Sequence, residues 1–204
     1  MASQEDAELI LAYRGGDKRA GATLTRRYYT KVLGFCRSKA PSAAKDITHD
    51  SFAACFQGLD TLREPAAFRS FLFGIVCNRI RMHYRRRRID GERLDFGTVT
   101  SMDLDPSPSQ IMVQHDEQRL LLEALRRMPL DMQILLELYY WQNLGVGDIA
   151  SALAIPPNTV KARLFRGRKQ LKELLLTLEA PGEVVKRTVT DLESWARGLR
   201  EAAV

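Results

Sequence analysis

Two adjacent prolines, Pro156 and Pro157, constrain the fold more than any other feature of the sequence. Proline disfavours helix in the residue before it, yet it is well tolerated in the first turn of a helix. Apolar residues recur at helical spacing on both sides of the pair. The stretch 148–171 is therefore predicted to form a short helix, a tight turn and a longer basic helix, which Asn158 or Thr159 could cap.

The longer helix has an apolar face and a basic face. Four residues at helical spacing are predicted to face inward, namely Val160, Leu164, Gly167 and Leu171. At about 100° per residue, five others fall on the opposite side, namely Lys161, Ala162, Phe165, Arg166 and Lys169. This pattern is typical of a helix-turn-helix whose second helix enters the major groove of DNA. A helical hairpin with a solvated basic face is the alternative interpretation.

The charge balance favours a polyanionic partner. The 204 residues carry a formal net charge of +6, and the basic residues are clustered. No apolar run approaches the roughly 20 residues that span a bilayer. The acidic N-terminus lacks the basic and apolar regions of a signal peptide. We therefore expect a soluble, cytoplasmic protein without membrane insertion.

Cysteine and histidine usage argues against disulfides and metals. Cys36, Cys55 and Cys77 are odd in number and widely spaced, so we expect small residues on buried helix faces, with a redox switch as the alternative. The histidines are scattered, and the chain has no Cys-x-x-Cys motif. We expect no metal site and no cofactor.

Helical periodicity divides the chain into segments. Apolar residues follow helical spacing in 1–89 and again in 113–178. Between them, 90–112 combines acids with Gly, Pro and Ser, which predicts a flexible acidic linker. The tail, 179–204, suggests one more amphipathic helix, over 183–200, that packs on the second domain or docks a regulator. The predicted fold class is all-α: two small helical domains joined by the linker, the second with the helix-turn-helix, plus a C-terminal helix.

One predicted helix has an unusual composition. Its first part, Phe68 to Cys77, is nearly all apolar or aromatic, and its second part is basic through the run Arg85–Arg88. A buried root with a cationic tip suits a core helix that projects onto phosphates, and aromatics beside arginines suit stacking of unpaired bases. A core helix that ends in a solvated basic tail fits the same residues equally well.

The order of these motifs resembles the bacterial RNA polymerase sigma factors of the small extracytoplasmic-function (ECF) group of the sigma-70 family. The resemblance covers roughly Glu5 to Leu178. In the first half it rests on three pieces: 46–52, 68–78 and 85–88. In the second half it rests on four: 128–129, 135–140, 148–150 and 159–168. Phe71, Met82 and Asp148 stand where the family usually has tryptophan, aspartate and glutamate.

The resemblance implies an initiation subunit that is not an enzyme and has no catalytic residues. Its partners would be core RNA polymerase, through the β′ clamp and the β flap, then promoter DNA, and an anti-sigma factor. The face that docks the clamp would carry Asp46, His49, Asp50 and Phe52. The loop 61–66, together with Asn78, would hold a base flipped from the non-template strand of the minus-ten element.

The resemblance also assigns the remaining DNA contacts. The set for the minus-ten element, in which the later arginines would hold phosphates, is Leu62, Arg63, Asn78, Arg79, Arg81, Arg85 and Arg86. The set for the minus-thirty-five element is Thr159, Lys161, Ala162, Phe165, Arg166 and Lys169. Most of this second set is the outward face that helical spacing predicts independently.

Two other functions are compatible with parts of the sequence. A stand-alone helix-turn-helix regulator would bind duplex DNA without polymerase, but it leaves 46–52 and 68–88 unexplained. A nuclease would need clustered metal-binding carboxylates or a nucleophile with its base, and the acids near Asp46 better fit a helix start and docking face. The acidic linker is interpreted either as an imitation of RNA phosphates in the polymerase exit path or as merely solvated.

Overall fold

The computed structural model describes residues 2–87, 95–105, 116–178 and 182. Within them the chain forms these α-helices: α1 (Ala2–Arg14), α2 (Lys18–Arg37), α3 (Ala44–Gln57), α4 (Phe68–Arg87), α5 (Ser101–Leu104), α6 (Asp116–Arg126), α7 (Leu130–Tyr140), α8 (Val146–Leu153) and α9 (Pro157–Thr177). Short 3-10 turns span Pro41–Ala43, Leu59–Thr61 and Pro65–Ala67. Extended pairing in the described residues is confined to one bridge, Thr100 with Pro129. The all-α prediction is confirmed.

The N-terminal half, 2–87, is a bundle of α1 to α4 around an aromatic core. Phe35 and Phe73 meet edge to face at 5.3 Å, and Tyr28 and Phe68 at 5.5 Å. The α1–α2 turn depends on Gly16, whose φ of +100° favours glycine. These contacts fix α4, whose apolar first part lies in the core as its composition predicts.

The C-terminal half, 116–178, contains the predicted helix-turn-helix in α8 and α9. The turn between them begins at Ala154, which adopts a left-handed conformation with φ 53°. Pro156 precedes α9 and accepts a hydrogen bond from the backbone N–H of Val160 at 3.1 Å. The predicted cap by Asn158 or Thr159 is wrong, because the helix begins at Pro157, ahead of both residues, and no side chain caps it. The prolines themselves set the start.

The structure describes 95–105 of the predicted linker 90–112, and this part of the chain has local structure. Thr100 and Asp103 form a capping box that starts α5. The carboxylate of Asp105 accepts hydrogen bonds from Ser42, and its carbonyl accepts one from Arg126. Polar capping and side-chain partners leave no hydrophobic period, so the sequence pattern could not reveal this structure.

The two halves pack directly on each other through α4 and α8. A Cβ built on Gly74 would lie 3.0 Å from the backbone oxygen of Ala152, so the two helices touch through their backbones. Arg69 donates to the carbonyl oxygen of Gln142 at the same interface. Glycine permits this approach because any larger residue at position 74 would collide with main chain.

A buried ion pair also joins the halves. Lys39 is fully buried, and its Nζ lies 2.5 Å from Oε2 of Glu137. The same ammonium donates to the carbonyl of Phe35 and the hydroxyl of Ser38, and Gln133 donates to Glu137. Burial lowers the pKa of Lys39, although Glu137 acts in the opposite direction. The hydrogen bonds compensate for charges that would otherwise be costly to bury.

Two further predictions concern the C-terminal helix and the absence of membrane-spanning helices. The predicted C-terminal helix over 183–200 lies outside the described residues. Among the helices that are described, none combines the length and apolar character that a bilayer span requires.

Candidate nucleic-acid interface

Helix α9 presents a basic face that is held rigidly from behind. The residues predicted to face inward are all buried: Val160, Leu164, Gly167 and Leu171. The outward residues Lys161, Ala162, Phe165, Arg166 and Lys169 are exposed, and Thr159 is half-buried. Phe165 is 68% exposed, which is unusual for so large an apolar side chain. The face therefore offers positive charge and one aromatic ring to a partner.

The backing of α9 comes from α7 and α8. Gly167 lies so close to Met132 that a Cβ at this position would be 2.8 Å from its sulfur. Arg168 donates to the hydroxyl of Tyr140 at 3.3 Å. Lys169 lies 3.9 Å from Glu173 across one helical turn, and both side chains are largely exposed. A surface pair of this kind is weak, so Lys169 keeps its charge available to a polyanion.

The loop 61–66 and α4 form a second polar surface. Arg63 and Glu64 are exposed at the tip of the loop, and Asn78 is exposed one helix away. The resemblance implies that Leu62 contacts DNA, but this residue is only 8% exposed and belongs to the core. Leu62 anchors the loop, and its neighbours are left to face a partner.

The arginines of α4 differ in their exposure and in their contacts within the protein. Arg85 and Arg86 are exposed and Arg79 is half-buried. Arg85 also lies over the ring of Phe96 at 5.5 Å. Arg81 makes two hydrogen bonds to Oδ1 of Asp131, at 2.7 and 3.1 Å, across the contact between the halves. In this arrangement Arg81 is engaged within the protein and is not presented to a phosphate.

A third surface lies on α3. Asp46, His49 and Asp50 are exposed along one side of the helix, with His49 3.3 Å from the hydroxyl of Tyr29. Phe52 was expected on the same surface, but it is 6% exposed and stacks on Tyr29. It therefore supports the surface from beneath, because its ring is already covered.

Sequence reasoning did not identify three charged residues that position these surfaces: Arg14, Lys39 and Asp131. Lys39 lies in the turn just after α2, four residues beyond the buried Phe35. A charge at so apolar a position signals an internal partner. Asp131 lies in the first turn of α7 and binds Arg81 across the contact between the halves. Arg14 gives no comparable signal, since a basic residue at a helix C-terminus is common.

No cluster of three or more metal-ligating side chains occurs among the residues that the structure describes. The three cysteines are buried and free.

With charged faces on α3, α4 and α9 and a buried core between them, the molecule has the features of a helical protein that binds DNA and a protein partner.

Comparison with known proteins agrees with this class. The model of sigma-70 region 2 matches residues 24–89, and the model of sigma-70 region 4 matches residues 118–171. The RNA polymerase sigma-H factor of Pseudomonas aeruginosa is 26% identical over 191 residues, which is 87% of this chain and 97% of that protein. The ECF RNA polymerase sigma-E factor of Haemophilus influenzae is 27% identical over 190 residues, 87% of this chain and 100% of that protein.

One solved structure shows the same fold. It is CnrH in complex with the cytosolic domain of CnrY, with a TM-score of 0.63 and 22% identity over 85% of this chain and 98% of that one. The two family matches together make the chain a transcription initiation factor and not an enzyme. It belongs to the sigma-70 family of RNA polymerase sigma factors, in the ECF group. It binds core RNA polymerase and DNA, and directs promoter recognition and initiation.

Proposed function

We propose that the two halves are separate DNA-reading domains, 1–89 for the minus-ten element and 113–178 for the minus-thirty-five element. The observation that carries this proposal is the outward face of α9, where exposed basic residues surround a Phe165 that is 68% exposed. An aromatic ring left in water on a well-packed helix favours a partner that covers it. The matches to sigma-70 region 2 in the first half and region 4 in the second support this assignment.

The chemistry of α9 suits base reading in the major groove. Arg166 and Lys161 can donate to guanine edges, where a good bidentate pair is worth about 1–3 kcal/mol of discrimination. Phe165 can contact a thymine methyl group. Ala162 is small enough to let the helix sit deep in the groove. Thr159 and Lys169, at the two ends of the face, are placed for the phosphates that position the helix.

The loop 61–66 and α4 would contact the minus-ten element. Asn78 and the exposed tip of the loop would hold a base flipped out of the non-template strand, which offsets part of the cost of opening DNA. Arg79, Arg85 and Arg86 would hold the phosphates nearby. Arg81 joins them only after it leaves Asp131.

The acidic and polar surface on α3 is proposed to dock the polymerase. Asp46, His49 and Asp50 would contact the clamp coiled coil of β′, with Phe52 fixing the helix from below. The second domain would contact the β flap. Because the polymerase is the working partner, the protein would act in the cytoplasm.

The acidic linker is proposed to thread the RNA-exit path, with its carboxylates imitating RNA phosphates. The five acids are Asp90, Glu92, Asp95, Asp103 and Asp105. Asp103 and Asp105 already have partners in this structure, so the segment 95–105 would have to leave Ser42 and Arg126 on assembly. If neutralising all five acids leaves initial transcription and promoter escape unchanged, the linker is only a tether.

An anti-sigma factor is the remaining proposed partner. The similar structure of CnrH contains the cytosolic domain of CnrY bound to it. The tail 179–204 would either pack on the second domain or dock such a regulator.

Run-off transcription tests the whole proposal. Core polymerase is combined with this protein on a library of promoter fragments, and protein-dependent transcripts are aligned for two upstream elements. Arg166→Ala is expected to lower promoter use about tenfold or more and to relax the minus-thirty-five preference. Lys172→Ala is the matched control, because Lys172 is an exposed cation on the same helix outside the proposed set.

Two results would contradict the proposal. Binding to duplex DNA without any binding to polymerase would indicate a stand-alone regulator. Equal loss in Arg166→Ala and Lys172→Ala would mean that α9 contributes only unspecific charge.

A further inference from the structure

Arg14 connects the end of α1 to a turn 45 residues further along the chain. Its Nη2 lies 2.5 Å from the carbonyl oxygen of Leu59 and also donates to the carbonyl oxygen of Leu62. The side chain is mostly covered, with 24% of it exposed. One guanidinium nitrogen, which carries two hydrogens, therefore holds two main-chain acceptors together.

These two carbonyls bracket the point where the loop 61–66 begins. The 3-10 turn spans Leu59–Thr61, and the N–H of Leu62 closes it on the carbonyl of Leu59 at 3.1 Å. Leu62 then becomes extended, with ψ 103°, and buries its side chain. Its backbone is thus fixed from both sides, by its own side chain in the core and by Arg14 at its carbonyl.

The rest of the loop also rests on α1. The next 3-10 turn, Pro65–Ala67, packs against α1, and Phe68 at its end is fully buried. Between these two anchors only Arg63 and Glu64 project into solvent as charged side chains. A short segment with both ends fixed has little freedom left, so its shape depends on those anchors.

We propose that Arg14 is a positioning residue for base capture at the minus-ten element. Arg14 does not touch DNA. It sets the direction in which the loop leaves Leu62, and so the shape of the pocket that Arg63, Glu64 and Asn78 present. This inference rests on the proposed function, which assigns the flipped base to that loop.

An arginine suits this geometry. Its planar guanidinium directs its hydrogens along fixed lines, whereas an ammonium is a point charge on a flexible stem. Charge-assisted hydrogen bonds to main-chain oxygens are stronger than neutral ones. Asp60, whose carboxylate lies 3.9 Å from Nε of Arg14, adds a further exposed charge to the same turn.

The test measures the coupling between Arg14 and the flipped base. Holoenzymes are assembled from core polymerase and the full-length wild type, Arg14→Met or Arg14→Lys. Each is titrated with non-template oligonucleotides of the minus-ten element found by run-off transcription, intact or with one abasic position at a time. In the wild type, the abasic change at the captured base is expected to weaken binding about tenfold.

Arg14→Met is expected to bind the intact oligonucleotide about as weakly as the wild type binds the abasic one. Its own abasic penalty at that position should shrink to about twofold or less. Arg14→Lys should retain part of the penalty, because an ammonium can still donate to one carbonyl. A merely destabilised protein would instead lose affinity for every oligonucleotide by the same factor.

Arg27→Met is the matched control. Arg27 is also a part-exposed arginine that ties α1 to its neighbour, through Asp6 and Glu5, but it does not touch the loop. It should keep the full abasic penalty, and circular dichroism melting shows whether each variant is folded. If Arg14→Met does not fold, Arg14→Lys carries the comparison.

Two outcomes overturn the inference in distinguishable ways. A full abasic penalty in both Arg14 variants would show that the carbonyl contacts do not shape the pocket, while the proposed function stands. No abasic penalty at any position in the wild type would remove the base pocket itself, and the role of Arg14 with it.

Discussion

The buried thiols show how much a residue's surroundings determine its chemistry. Burial raises the pKa of Cys36 to about 11 and those of Cys55 and Cys77 to about 12, from an ordinary value of 9.0. All three have no exposed surface. At neutral pH they are protonated packing groups, since the reactive thiolate is disfavoured in the folded state. The sequence interpretation of small residues on buried helix faces agrees with this.

Alkaline pH should therefore destabilise the fold. Between pH 9 and about 11 the unfolded chain has lost the thiol protons that the folded chain keeps. The free energy of unfolding should be unaffected by the thiols below pH 9 and should fall above it, by up to about 1.4 kcal/mol per pH unit for each thiol. Urea unfolding from pH 7 to 11 measures the slope.

Cys36→Ala serves as the comparison in that series. It removes one titrating group, so its slope above pH 9 should be shallower than that of the wild type. Equal slopes in the two proteins would mean that Cys36 titrates alike in the folded and unfolded states, contrary to its complete burial.

Periodicity predicted residues better where packing decides their orientation than where a specific partner does. The inward and outward faces of α9 follow from the 3.6-residue repeat alone. The roles that the resemblance implies for Leu62, Phe52 and Arg81 do not match their packing, because each depends on a contact with a distant part of the chain. Arg81 is the clearest case, since its partner Asp131 is 50 residues away.

At the scale of elements, the contact between α4 and α8 depends on Gly74, which has no side chain. Gly74→Ala would place its Cβ 3.0 Å from the backbone oxygen of Ala152 and 3.3 Å from its Cα. Main chain cannot move aside as a flexible side chain can. We expect the variant to lose about 1–3 kcal/mol of unfolding free energy, measured by urea titration.

Gly34→Ala separates this effect from helix propensity. Gly34 lies inside α2 with no atom within 4 Å of the built Cβ. Alanine there should stabilise the protein by about 0.5–1 kcal/mol, because glycine is the poorer helix former. If both substitutions stabilise the protein, the α4–α8 contact accommodates a side chain at position 74 without loss of unfolding free energy.

Element boundaries were predictable to different degrees for physical reasons. Proline marks the start of α9 because its ring restricts the backbone directly. The short helix α5 is held by a capping box and by bonds to distant residues, none of which produces an apolar repeat. Composition predicted a flexible segment there, and the contacts of Asp105 explain why part of it is ordered.

At the scale of the whole molecule, the pair of Lys39 and Glu137 joins the two halves. Lys39→Met would leave the Glu137 carboxylate buried without its cation. Removal of one partner of a buried pair typically destabilises by about 3–5 kcal/mol. We expect a marked fall in the urea midpoint, and recovery of most of it in Lys39→Met/Glu137→Leu, where both charges are gone.

Arg127→Met gives the corresponding measurement at the surface. Arg127 pairs with Glu123 one turn away at 2.6 Å, with both side chains about two-fifths exposed. Loss of this pair should change stability by no more than about 0.5 kcal/mol. A similar effect for Lys39→Met would mean that the halves already separate in solution.

The backbone contact of Gly74 with Ala152 also limits length. From that contact, helix rise and chain reach allow no more than about 45 Å between the Cα atoms of Asn78 and Arg166. Two promoter elements centred about 25 base pairs apart lie about 85 Å apart along straight B-DNA, at 3.4 Å per base pair. If the halves read the two elements as proposed, this arrangement is too short to reach both, so the halves would have to separate on the promoter. The polymerase that holds them apart would then set the spacing of the two elements.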